Sequence, residues 1–152
     1  MRLSMIISVL LSLQGCDQLL PPTVDRIEIW APGLEIQFDT QGHGLFTNKF
    51  TKQRKRFSLT KDRLHEVQAR LQPFLRAAKI ASEQQLVKEF NAPCNGSYVT
   101  DSGGINIHWS GPSFDRWYLV DYGCDPERNA ARNHELQAIV RRLPVPEPSL
   151  WP

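Results

Sequence analysis

Residues Leu34-Glu35-Ile36-Gln37-Phe38-Asp39 alternate between apolar and polar without a break. A repeat of two is the period at which a β-strand sends successive side chains to opposite faces. No helix gathers Leu34, Ile36 and Phe38 on one side, so this segment demands a sheet with one buried face. The stretch before it, Arg26-Ile27-Glu28-Ile29-Trp30, sets Ile27 and Ile29 against charges, and Ala31-Pro32-Gly33 between the two is a turn signal. Gln41-Gly42-His43-Gly44 reads as the next turn. Residues 45–50 and 56–59 read as two further strands, which completes an antiparallel meander.

The link between those last two strands, Lys49-Phe50-Thr51-Lys52-Gln53-Arg54-Lys55-Arg56, combines cations with an aromatic residue. Such a run can meet phosphates or acidic surfaces. It reads here as the solvated turn and exposed edge of a hairpin, where lysine discourages pairing with another chain.

Thr60 is placed to cap a helix through its hydroxyl. Leu64, Val67, Leu71, Phe74 and Leu75 then recur on one helical stripe, and Pro73 is expected to kink or end the helix. Residues 82–90 read as a short helical turn or an extended link, and 91–104 as loop. In the second hairpin Ile105, Ile107 and Trp109 alternate with polar residues, Gly111-Pro112-Ser113 makes the turn, and Trp117 and Leu119 alternate with Tyr118, Val120 and Tyr122. Trp109 and Trp117 are expected near each other across that pair. Asp125-Pro126 reads as the start of a second helix, with Leu136, Ile139, Val140 and Leu143 as its stripe and Pro144 as its stop. Strands, helix, strands, helix is an α+β order: an antiparallel sheet of meander and hairpin with two helices packed on one face.

The chain's first residues read as an address. Arg2 is the only charge before Asp17, and the mostly apolar stretch Leu3 to Leu13 is too short to span a bilayer. Leu13-Gln14-Gly15-Cys16 resembles a bacterial lipobox, with Gln14 standing where a small or β-branched residue is usual. The resemblance implies acylation of Cys16, cleavage before it, and a lipoprotein held at the periplasmic face of the cell envelope by acyl chains such as palmitate. In enterobacterial lipoproteins an aspartate following the cysteine, as Asp17 does, is associated with the inner membrane. The implied organisation is a signal peptide over 1–15, a lipidated tether over 16–23 containing Pro21 and Pro22, a single α+β domain over 24–143, and a proline-rich tail over 144–152 in which Trp151 is a candidate to dock back.

Cys16, Cys94 and Cys124 are an odd set, and lipidation of Cys16 leaves one pair. A Cys94–Cys124 disulfide fits an oxidising compartment. The rival readings are a redox pair or a metal site. The sequence has no C-x-x-C, and His43, His65, His108 and His134 are scattered, so no metal or other cofactor is expected.

Eighteen basic and sixteen acidic residues leave a formal charge of +2, a balance that predicts no strong attraction to nucleic acid or anionic lipid. Asp101, His108 and Asp121 fall near the second hairpin and on paper supply a base and an orienting carboxylate. Each equally serves as a turn, strand-face or strand-end residue, no G-x-S-x-G is present, and no catalytic residue is assigned. The hairpin Ile36-Gln37-Phe38-Asp39 through Gly44, a following helix and a later strand pair introduced by Asp101 are similar to families of small exported bacterial proteins. That likeness implies no activity. The expected role is a binding or accessory module that meets an envelope protein through Trp109, Trp117 and Tyr118, since Trp and Tyr anchor interfaces. The alternatives are a periplasmic inhibitor of a hydrolase, by likeness of size and address to lysozyme-inhibitor lipoproteins, and less favourably a small envelope enzyme.

Overall fold

The computed structural model describes residues 24–148. Cys16, Asp17, the tether, the signal segment and Trp151 lie outside the described residues. Strands β1 (Arg26–Ala31), β2 (Leu34–Asp39), β3 (His43–Asn48) and β4 (Arg54–Ser58) form the meander, and β5 (Gly104–Gly111) and β6 (Phe114–Asp121) form the hairpin. The two units join along β1 and β5, giving an all-antiparallel sheet in the order β4-β3-β2-β1-β5-β6.

Side-chain alternation becomes two faces. Ile27, Ile29, Leu34, Ile36, Phe38, Ile105, Ile107 and Trp109 are almost fully buried on one of them. Helices α1 (Lys61–Ala77) and α3 (Ala130–Arg141) cover that face. Leu64, Val67, Leu71, Phe74 and Leu75 from α1 and Leu136, Ile139 and Val140 from α3 enter the same core cluster. The fold is α+β as the pattern predicts. Full burial of each such side chain contributes roughly 1.5–3 kcal/mol, so the core supplies most of what holds the sheet to its helices. A third helix, α2 (Glu83–Phe90), is capped by Ser82, and none of the described side chains from Gln84 to Phe90 is fully buried. The segment 82–90 is thus helical rather than extended.

Several boundaries differ from expectation, each for a local reason. The β2–β3 turn is confined to Thr40–Gly42, because Asp39 Oδ1 accepts the N–H groups of Gln41 and His43, both at 2.9 Å, and frees His43 and Gly44 to pair. Helix α1 runs through the exposed Pro73 to Ala77, since Phe74 and Leu75 beyond it are buried in the core. Helix α3 starts at Ala130 rather than at Asp125-Pro126. Asp125 has φ of 50°, outside the helical region, and the Asn129 amide donates to the Cys124 carbonyl at 3.0 Å. The tail after Leu143 folds back in part, with Val145 against the core and Glu147 paired to Arg141 at 2.9 Å.

Candidate functional site

The sheet face opposite α1 and α3 carries Arg26, Glu28, Trp30, Gln37, His108, Asp115 and Trp117, as the registers of β1 with β2, β1 with β5, and β5 with β6 require. Three rings gather on it. Trp117 is directly opposite His108 across the hairpin and stacks on it with centroids 3.8 Å apart and planes 11° apart. Trp30, from β1, stacks on Trp117 at 5.3 Å and 16° and lies 6.3 Å from His108. Aromatic stacking adds to what ordinary apolar burial contributes.

His108 is held at both nitrogens. Nδ1 meets Glu28 Oε2 at 2.8 Å and Nε2 meets Asp115 Oδ1 at 2.9 Å. The His108 side chain is 14% exposed, so Trp117 and the two carboxylates occupy most of its surface.

Trp30 also borders a cleft of about 1030 Å³ at one end of the sheet. The floor is Asn106 and Leu119, and the walls include Phe90 at the end of α2, Tyr98 and the Cys94–Cys124 pair. These cysteines stand at disulfide distance, with Cα atoms 5.5 Å apart. The pair ties the loop after α2 to the chain that follows β6. Two features hold this end of the sheet closed: Val99 N–H donates to the Gly123 carbonyl at 2.9 Å, and Trp117 N–H donates to Ile80 at 2.9 Å. Asp121 Oδ1 accepts from Gly123 N–H at 2.8 Å. The Asp121 charge, then its hydrogen bond, raise the Tyr98 hydroxyl above the usual phenol value. Arg132 supplies a cation to the cleft and grips Asn133 Oδ1 through Nε and Nη2 at 3.0 and 2.8 Å.

The residues singled out by sequence separate. Trp109 is fully buried among the helices' apolar stripes and cannot belong to an exposed surface. It pairs with Arg116, one position from Trp117, so the two tryptophans face opposite sides of the sheet. Tyr118 faces the helices too, with its ring 5.3 Å from that of Phe74 and its hydroxyl raised by burial against the opposing pull of Arg132. Of the expected partner surface only Trp117 stands on the open face. Of Asp101, His108 and Asp121, His108 stands apart with Glu28 and Asp115 as its polar partners, while Asp121 and Asp101 line the cleft together and the charges of both raise the Tyr98 hydroxyl. Local patterning missed Trp30, Glu28 and Asp115. The first two reach the site through the β1–β5 pairing, and Glu28 is 80 residues from His108 in sequence. Among the described residues no group of three or more His, Cys, Asp or Glu is arranged to hold a metal ion, and no helix is long and apolar enough to cross a membrane.

The chain matches no protein-family model, no curated protein and no solved structure.

Proposed function

We propose that this chain is a lipid-anchored lipoprotein of the bacterial envelope, tethered through Cys16, whose domain works by binding an envelope protein rather than by catalysis. The Trp30–Trp117–His108 group on the open sheet face, continuous through Trp30 with the cleft, is the observation that carries the binding reading. Large aromatic side chains left partly exposed beside a concavity are the composition of an interface anchor. His108 is engaged at both nitrogens and covered by an indole, which supports a scaffold role for it over proton transfer to a substrate. The address rests on the sequence Leu13-Gln14-Gly15-Cys16 and on the cysteine count, because the Cys94–Cys124 pair leaves Cys16 as the odd one. A disulfide in the domain belongs with an oxidising compartment.

Site-specific photocrosslinking in envelope preparations tests the binding surface. A photoreactive residue at Gln37 or Leu119, near the rings, is expected to give a defined adduct that Trp117→Ala weakens. The same residue at the exposed Arg76 of α1 is expected to give none. Equal adducts from both faces, or none from the open face, contradict the reading.

A further inference from the structure

The chain's near-neutral total conceals a strong polarisation. Between Asp39 and Asp62 no residue is acidic, and six are Lys or Arg. The rest of the chain carries twelve basic against sixteen acidic residues. The structure places this cationic stretch on the outer rim, because it contains β3, the turn after it, and β4 at the sheet's edge. Residues 49–56 are exposed without interruption. Lys49 pairs with Glu35, whereas Lys52, Arg54, Lys55 and Arg56 have no ion pair or side-chain hydrogen bond with any described residue. At the tip Phe50 is 63% exposed, an apolar ring with no polar group of its own.

The tip is preformed. Asn48 Oδ1 accepts the N–H groups of Phe50 and Thr51 at 2.9 Å, and Asn48 N–H donates to Gln53 at 2.8 Å. Lys49 N–H donates to the Gly33 carbonyl of the neighbouring turn at 2.7 Å, and Lys52 takes the left-handed conformation at φ 59° that closes the loop. A surface partner therefore meets a loop backbone already ordered beneath the Phe50 ring, with only the side chains of the cations left to order.

We propose that the β3–β4 hairpin is a membrane-docking element that seats its cations on the anionic headgroups of a bilayer and its Phe50 ring among the acyl chains. Cations near an anionic leaflet each strengthen binding by roughly fivefold, and the effect decays within a Debye length. An exposed edge hairpin with one apolar ring at its tip favours a bilayer over the other anionic partners. Nucleic-acid surfaces of this kind use a groove and several stacking aromatics, and this tip has neither. The inference does not depend on lipidation of Cys16, though a lipid anchor would hold the hairpin close to the surface it recognises.

The test is flotation of the full chain with vesicles of phosphatidylcholine alone or with 30% phosphatidylglycerol. The N-terminal apolar residues are common to every sample, so the difference between vesicle types reports the hairpin. The expected result is at least about tenfold tighter binding to the anionic vesicles in low salt, collapsing near 0.5 M salt. The triple change Lys52→Glu, Arg54→Glu, Arg56→Glu is expected to abolish the preference, with an unchanged thermal melt showing that the fold persists. Phe50→Ser is expected to weaken the anionic binding that remains at moderate salt. Equal binding to both vesicle types, or a preference that survives the triple change, overturns the proposal. So does a salt-dependent affinity for a DNA duplex that exceeds the affinity for anionic vesicles.

Discussion

His108 and Trp117 face each other across the β5–β6 hairpin with ring centroids 3.8 Å apart, on the side of the sheet that the two packing helices leave uncovered. The pair converts an ordinary polar strand face into one with an aromatic centre, flanked by Glu28 and Asp115.

Truncating Trp117 removes both of its stacking contacts. Because the residue is only half-buried, Trp117→Ala is expected to destabilise the domain by about 1–3 kcal/mol, less than a fully buried aromatic costs. Trp117→Phe should recover more than half of that. Urea unfolding checks both values, and a loss below about 0.5 kcal/mol for the alanine variant contradicts the packing described.

The face assignment also explains what local pattern could and could not reveal. Alternation in β1 and β2 identified the buried side, whereas in β5 Trp109 shares the buried face of Ile105 and Ile107 although it read as partner surface. The juxtaposition of Trp109 with Trp117 failed on register. Gly111 pairs with Phe114, so Trp109 falls opposite Arg116, and an offset of one residue sends a side chain to the other face. Trp30 and Glu28 were invisible as site residues because only the long-range β1–β5 pairing brings them to His108. Likewise, Asp125-Pro126 has the composition of a helix start, but Asp125 sits in the turn beyond the Cys94–Cys124 pair with a positive φ.

Pro73 lies inside α1 and is exposed, so its ring secures nothing in the core and its missing N–H leaves one helical bond unmade. Pro73→Ala is therefore expected to stabilise the domain by about 1–3 kcal/mol. A neutral or destabilising result in thermal melts would show that the ring stiffens the unfolded chain as much as it weakens the helix.

The Cys94–Cys124 pair spans 30 residues. Closing a loop of that length stabilises by about 3–4 kcal/mol in the chain-entropy model. Reduction, or the double change Cys94→Ser and Cys124→Ser, is expected to lower stability by that amount and to loosen the cleft, seen as faster amide exchange at Val99 and Gly123. Unchanged stability on reduction contradicts the pairing.

At Gly123 an added Cβ would stand 2.0 Å from the Val99 carbonyl oxygen, a backbone atom that cannot swing aside. Gly123→Ala is expected to cost about 1–3 kcal/mol by forcing that strand contact apart. Urea unfolding of the variant measures it.

Acid should unfold the protein through identifiable carboxylates. Burial pushes Asp39 up, but the N–H groups of His43 and Gln41 and the His43 ring outweigh it and hold the group below its ordinary value. Glu66 is lowered first by its hydrogen bond to Arg142 and then by the charges of Arg142, Arg63 and Arg70. Both groups bind protons less readily folded than unfolded. Their contribution is therefore complete above the ordinary carboxylate range and is lost as pH falls below about 4 through the lowered values. Asp39→Asn and Glu66→Gln are expected to flatten the decline in melting temperature between about pH 5 and 2.5. A decline as steep as in the parent chain contradicts the assignment.

The proposed arrangement is a folded binding domain held at a membrane through Cys16. Metabolic labelling with radioactive palmitate tests it most directly, with the full-length chain and its Cys16→Ala variant compared by gel mobility and membrane fractionation. Label and membrane retention are expected for the parent chain, with an unlabelled, unprocessed variant. A parent chain that takes no label and keeps its first fifteen residues contradicts it.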